Sequence, residues 1–161
     1  MGRFYVNFEN NVTKDTASGI SIPVTYQYWK PLMEYFIDKC TGFRLDCWED
    51  EKEAVDSASK LGKETESYAA KMVSFQNSIS EEFIDEVLNF PLDKEGKIKW
   101  FGVNLKKDEE YLISCQHYGS EFVTGWLKDE DADFIKSILP KDFTFNVIDE
   151  EWISMINFQN Y

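Results

Sequence analysis

The sequence predicts an α+β domain built on a mostly antiparallel sheet of six or seven strands, with four or five helices packed chiefly on one face. Three observations predict it. Apolar residues alternate along several short runs, the period of a half-buried strand, and elsewhere recur at three and four residues, the period of a helix. Between 97 and 127, three strand-like runs are joined by Lys107-Asp108-Glu109 and Gly119-Ser120, connections too short for a parallel crossover. They form an antiparallel C-terminal meander followed by a helix. Finally, 161 residues of which 43% are hydrophobic and 16% aromatic suffice for one core, and no linker breaks the chain, so residues 1–161 read as a single acidic domain.

The elements follow in order. Phe4, Val6 and Phe8 alternate with Tyr5 and Asn7 as a strand ending at the Asn10-Asn11 turn. Ser18-Gly19 opens a short second strand through Ile20 and Ile22, stopped by Pro23, and the two strands read as a loose hairpin. Tyr28, Leu32, Met33, Tyr35, Phe36, Ile37 and Cys40 recur at helical spacing, with Pro31 in the first turn and Gly42 placed as a C-terminal cap. Phe43, Leu45 and Cys47 form a strand. Ala54, Val55, Ala58 and Leu61 mark a thin amphipathic helix from Glu49, closed by Gly62 and followed by a polar loop to Ser67. A strand over Ala70–Gln76 precedes a capping box in Ser78-Ile79-Ser80-Glu81 and a helix that buries Phe83, Ile84, Val87 and Leu88. The meander strands cover Lys97–Leu105, Tyr111–Tyr118 and Glu121–Leu127. A helix over Asp129–Leu139, a strand through Phe143, Phe145 and Val147, and a short helix near Glu150–Ile156 complete the chain.

Several functions are excluded by what the residues can do. The N-terminus lacks a signal peptide's long apolar stretch and no apolar run spans a bilayer, so a cytoplasmic protein away from membranes is expected. The three cysteines, Cys40, Cys47 and Cys115, are odd in number with no close pair, and read as reduced thiols. With His117 they match no common zinc spacing, and Asp129-Glu130-Asp131-Ala132-Asp133 lacks the glycine and distal glutamate of a calcium loop. The glycines form neither dinucleotide nor phosphate-binding patterns, so no cofactor is expected.

Charge is the strongest signal. The net charge is −13, and all of it falls after residue 48, where 12 basic residues face 25 acidic ones. Such a field repels nucleic acid and anionic membrane and steers a basic protein toward it. The clusters Glu49-Asp50-Glu51, Glu81-Glu82, Asp129-Glu130-Asp131 and Asp149-Glu150-Glu151 all fall at expected helix N-termini, where carboxylates meet the positive end of the helix dipole. Capping explains their positions but not their surplus over basic residues. Trp48 sits beside the first cluster and Trp126 beside the third, and an aromatic ringed by carboxylates is suited to gripping lysine or arginine. The candidate partner-binding residues are therefore Trp48, Glu49, Asp50 and Glu51, and Trp126, Glu130, Asp131 and Asp133, with Asp129 read as the cap of its helix. In composition the chain resembles bacterial toxin-immunity proteins and phage inhibitors that imitate nucleic acid. That resemblance implies a non-enzymatic binding or inhibitor protein facing a basic partner such as a nuclease or toxin.

Two other readings stand beside it. A ligand-binding or enzymatic domain would use an aromatic pocket of Tyr26, Tyr28, Trp100 and Tyr111 around His117, the only histidine. On a strand His117 would share one face with Tyr111, Ile113 and Cys115, but it lacks the third group that orients a catalytic imidazole. The remaining reading is a scaffold domain with no small ligand.

Overall fold

A computed structural model describes residues 4–149. Its eight-stranded sheet is antiparallel throughout, in the order β10-β1-β9-β8-β7-β4-β6-β5, where β1 is Phe4–Asn10, β4 Gly42–Trp48, β5 Lys63–Thr65, β6 Met72–Ser78, β7 Gly102–Lys107, β8 Glu110–Gln116, β9 Glu121–Thr124 and β10 Phe143–Asp149. A separate ribbon pairs β2, Thr13–Asp15, with β3, Ser21–Pro23. Four helices occur among the described residues: α1 (Trp29–Ile37), α2 (Lys52–Leu61), α3 (Glu81–Asn89) and α4 (Asp129–Ile138). None is long and apolar enough to cross a membrane. The helix expected near Glu150–Ile156 lies outside the described residues.

The expected fold class and meander are present, with more strands than the periodicity indicates. The additional ones, β2 and β5, are short and polar, with no buried apolar face to reveal them. The expected hairpin of the first two strands is not formed. β1 pairs with β9 and β10, because burying Phe8 requires partners with rings: Phe122 stacks on it at 4.6 Å and Phe145 at 6.1 Å.

One core cluster joins the helices to one face of the sheet. From α1 come Trp29, Leu32, Met33, Phe36 and Ile37, spaced so that one helical face points inward. From the strands come Leu45, Cys47, Phe75, Val103, Leu105, Ile113 and Cys115. α2 contributes Ala54 and Ala58 as its fully buried residues, with Val55 and Leu61 partly buried against the cluster, so it lies close to β4 and β6 with little apolar bulk.

Several boundaries move for identifiable reasons. Gly42 is the first residue of β4, not a helix cap, and a Cβ there would sit 3.3 Å from the Asn77 carbonyl oxygen. α3 is capped by Ser80, whose hydroxyl accepts from the Phe83 N–H at 3.1 Å, rather than by Ser78. Residues 97–101 leave the sheet although they alternate: Ile98 and Trp100 enter the core while Lys97 and Lys99, also buried, turn toward carboxylates. β8 ends at Gln116, so His117 is in a turn. A bulge sets both Tyr111 and Leu112 against Lys106 and turns Tyr111 to the face opposite Ile113 and Cys115.

The face away from the helices carries its own polar network. Asp46 accepts from Arg44 Nε at 2.9 Å, from Ser74 Oγ at 2.7 Å and from Asn104 Nδ2 at 2.9 Å. Gly102 stands opposite Asp46 and leaves room for its carboxylate. The β5–β6 loop folds over this network: the Glu66 carbonyl accepts from Arg44 Nη2 at 2.6 Å, and the Tyr68 ring stacks 4.2 Å from the guanidinium. Burial disfavours the charge on Arg44, but Asp46 outweighs it and holds the arginine cationic.

Candidate functional site

The end of β4 and the start of α2 form one wall of a cleft of about 800 Å³. Its other walls are the β5–β6 loop at Ala70 and Lys71, the turn around Asp93–Lys97, and Tyr118 from the β8–β9 hairpin. Lys97, only 3% exposed, lies at the bottom. Its ammonium bonds Asp93, sits 3.0 Å from Glu51 Oε2, and lies 4.8 Å from the centre of the Tyr118 ring. The other Glu51 oxygen accepts from the Tyr118 hydroxyl at 2.5 Å. Burial works against the Lys97 charge, but hydrogen bonds to Asp93 and Glu51 raise its pKa above the ordinary value, so it is a held cation and not a free amine. Burial and the bond to Glu51 likewise push the Tyr118 phenol up, keeping it a donor.

The hairpin that delivers Tyr118 is conformationally unusual. His117, Tyr118 and Gly119 have φ of +51°, +58° and +81°, three left-handed residues in succession. The hydroxyls of Tyr26 and Tyr28 donate to the carbonyls of Tyr118 and Gly119, holding the turn from beneath.

A second groove, of about 750 Å³, separates α2 from α3 and shares Glu53 and Lys99 with the first. Lys99 is 7% exposed and pairs with Glu86 at 2.6 Å, while Ser57 also donates to Glu86, at 3.1 Å. The deep cations of both depressions are thus neutralised internally. Glu49, Asp50, Glu53, Asp56, Glu82 and Asp85 remain as exposed carboxylates around them, against exposed Lys52, Lys60, Lys71 and Lys94.

Of the residues singled out from sequence, Trp48, Glu49, Asp50 and Glu51 line the cleft together. Glu49 and Asp50 face solvent, Glu51 is committed to Lys97 and Tyr118, and Trp48 is half-buried against Phe101 with ring centres 5.0 Å apart. Trp126, Glu130, Asp131 and Asp133 lie at the opposite end of the strands. The register fixes this: Asp46 pairs with Gly102 at one end of β7, whereas Lys106 at the other end pairs with Tyr111, beyond which Gly125 approaches. The two clusters do not form one surface.

Asp131 is 7% exposed, not a surface charge. It accepts from the Tyr35 hydroxyl at 2.5 Å and from the Lys128 N–H at 2.9 Å, so its carboxylate satisfies a backbone donor at the start of α4, with Lys128 rather than Asp129 at the N-cap. Glu130 and Asp133 are exposed.

The aromatic pocket around His117 is not assembled. Tyr28 and Trp100 are fully buried in the core, Tyr111 is on the other face, and His117 is exposed, 3.5 Å from Glu121. Asp56 and Asp85 were not legible as site residues. Their helical stripes are visible in sequence, but which two helices flank one groove is a tertiary fact.

The cysteines are unbridged, and among the described residues no group of three histidine, cysteine or acidic side chains converges as a metal site. Burial pushes the Cys40 thiol up to about 11 and Cys47 to about 12, from an ordinary 9.0. A group that binds its proton more tightly when folded stabilises the fold fully below its unfolded pKa and loses that contribution as pH rises toward the folded value. These thiols and Lys97 all shift upward, so stability to urea is expected to fall progressively above about pH 9. A denaturation midpoint constant from pH 8 to pH 11 would contradict this. Comparison of the chain with protein-family models, characterised proteins and solved structures gives no match, so the reading of the site rests on its own geometry.

Proposed function

We propose that the protein is a non-enzymatic binding or inhibitor protein that engages a basic partner protein, of the nuclease or toxin kind, through the acidic surface running from Trp48 along α2. The observation that carries this reading is the allocation of charge around the two depressions. The deepest lysines are consumed by Glu51, Asp93 and Glu86, while Glu49, Asp50 and Glu53 have solvent-facing carboxylates beside the half-buried Trp48 ring. A partner's lysine or arginine meets unspent negative charge there, with an aromatic face alongside. The overall charge of −13 adds long-range attraction and disfavours nucleic acid as a direct ligand.

The test starts from affinity capture in the native cell, with the captured partner then purified for stopped-flow association. Glu49→Gln, Asp50→Asn and Glu53→Gln combined are expected to slow association at least several-fold at low salt and to flatten its salt dependence, with folding stability changed by no more than about 0.5 kcal/mol per position. An association rate indifferent both to salt and to the three substitutions would remove the basis of this proposal.

A further inference from the structure

The geometry points to the groove between α2 and α3 as the seat of a lysine- or arginine-rich helical segment of the partner; this rests on the acidic-surface reading and narrows it to one mode of docking. α2 packs on β4 and β6 and α3 packs on α1, so these two helices flank a trench instead of packing together. The trench floor is tied by the Ser57–Glu86–Lys99 chain, which satisfies its one deep cation and leaves no buried charge to repel an incoming one.

The lips have helical periodicity. Glu53, Asp56 or Ser57, and Lys60 or Leu61 follow each other by three or four residues along α2, and Glu82 is followed by Asp85 and Glu86 on α3. Residues spaced this way project from one helix face, so a pair of free carboxylates lines each lip, Glu53 and Asp56 on α2 and Glu82 and Asp85 on α3. From Glu53 to Leu61 the α2 stripe is roughly 12 Å long at 1.5 Å per residue, enough for two to three turns of a docked helix. The occupant that complements these pairs carries basic side chains at i and at i+3 or i+4. The chain's own residues 150–161 contain two glutamates and no lysine or arginine, so charge complementarity favours a separate protein over this segment. Lys60 is the one exposed cation on these lips and opposes the occupant.

The probe is a fluorescein-labelled alanine-based peptide of about five turns with arginines at that spacing, together with a peptide of the same length and charge in which two central alanines are replaced by prolines. Binding to the intact chain is followed by anisotropy at low and moderate salt, and the contact surface by amide chemical-shift changes. Amide shifts centred on α2 and α3 are expected, with at least tenfold weaker binding for Asp56→Asn/Glu82→Gln/Asp85→Asn, tighter binding for Lys60→Gln, and weaker binding of the broken peptide. Shifts confined to Trp48–Asp50, or equal binding of the two peptides, would overturn the helical groove while leaving the acidic-surface reading intact. No salt-dependent binding of either peptide, together with a partner association rate indifferent to the rim substitutions, would overturn both.

Discussion

Replacing Asp46 by alanine is expected to destabilise the protein by about 3–5 kcal/mol, because it leaves the Arg44 guanidinium buried without its counter-charge. Asp46 is the hub of the polar network on the face opposite the helices. Its loss also strands the Ser74 hydroxyl and one hydrogen bond of the Asn104 amide. The double replacement Arg44→Met/Asp46→Leu removes both charges and is expected to cost less than the single one, since the attraction within a buried ion pair does little more than offset the cost of desolvating it. Urea denaturation of the three proteins, read as a change in midpoint at constant slope, gives the comparison. A single-variant loss below about 1 kcal/mol would mean that water reaches Arg44 and that the β5–β6 loop does not seal it.

Gly119→Ala is the second large effect, expected at about 2–5 kcal/mol. Two separable causes contribute. The residue has φ of +81°, a left-handed conformation that costs an L-residue roughly 1–2 kcal/mol. A Cβ would also stand 2.9 Å from Ile98 Cγ1 and 3.0 Å from Tyr26 Cε1, and such overpacking typically costs about 1–3 kcal/mol more. Gly96→Ala separates the two, because Gly96 has φ of +84° but open space around it. Only the conformational share should appear there. Equal losses at both positions would show that Ile98 and Tyr26 yield to a methyl group and do not hold the hairpin in place.

Much of the fold can be read locally. The spacing of Leu32, Met33, Phe36 and Ile37 determines a helix and its inward face, and the short links at Lys107-Asp108-Glu109 and Gly119-Ser120 determine antiparallel pairing of β7, β8 and β9. Local pattern fails where a segment has no apolar face of its own, as in β5, or where its side chains find distant partners. Lys97 to Trp100 alternates like a strand, yet leaves the sheet because Lys97 and Lys99 reach Glu51, Asp93 and Glu86.

The acidic clusters show the same division. The position of Glu49-Asp50-Glu51, Glu81-Glu82 and Asp129-Glu130-Asp131 at the starts of α2, α3 and α4 is written in the sequence, since capping and helix dipoles act within one turn. Which carboxylates remain unspent is not. Asp131 and Glu51 belong to runs that look alike as strings of acid, but both are taken up internally, by Tyr35 and the Lys128 N–H in one case and by Lys97 and Tyr118 in the other. By itself the sequence determined an α+β fold with a strongly acidic C-terminal two-thirds. Only the tertiary structure decided that Glu49, Asp50 and Glu53 share one surface with Asp56, Glu82 and Asp85 and not with Glu130, because that depends on which helices and strand ends the antiparallel register brings together.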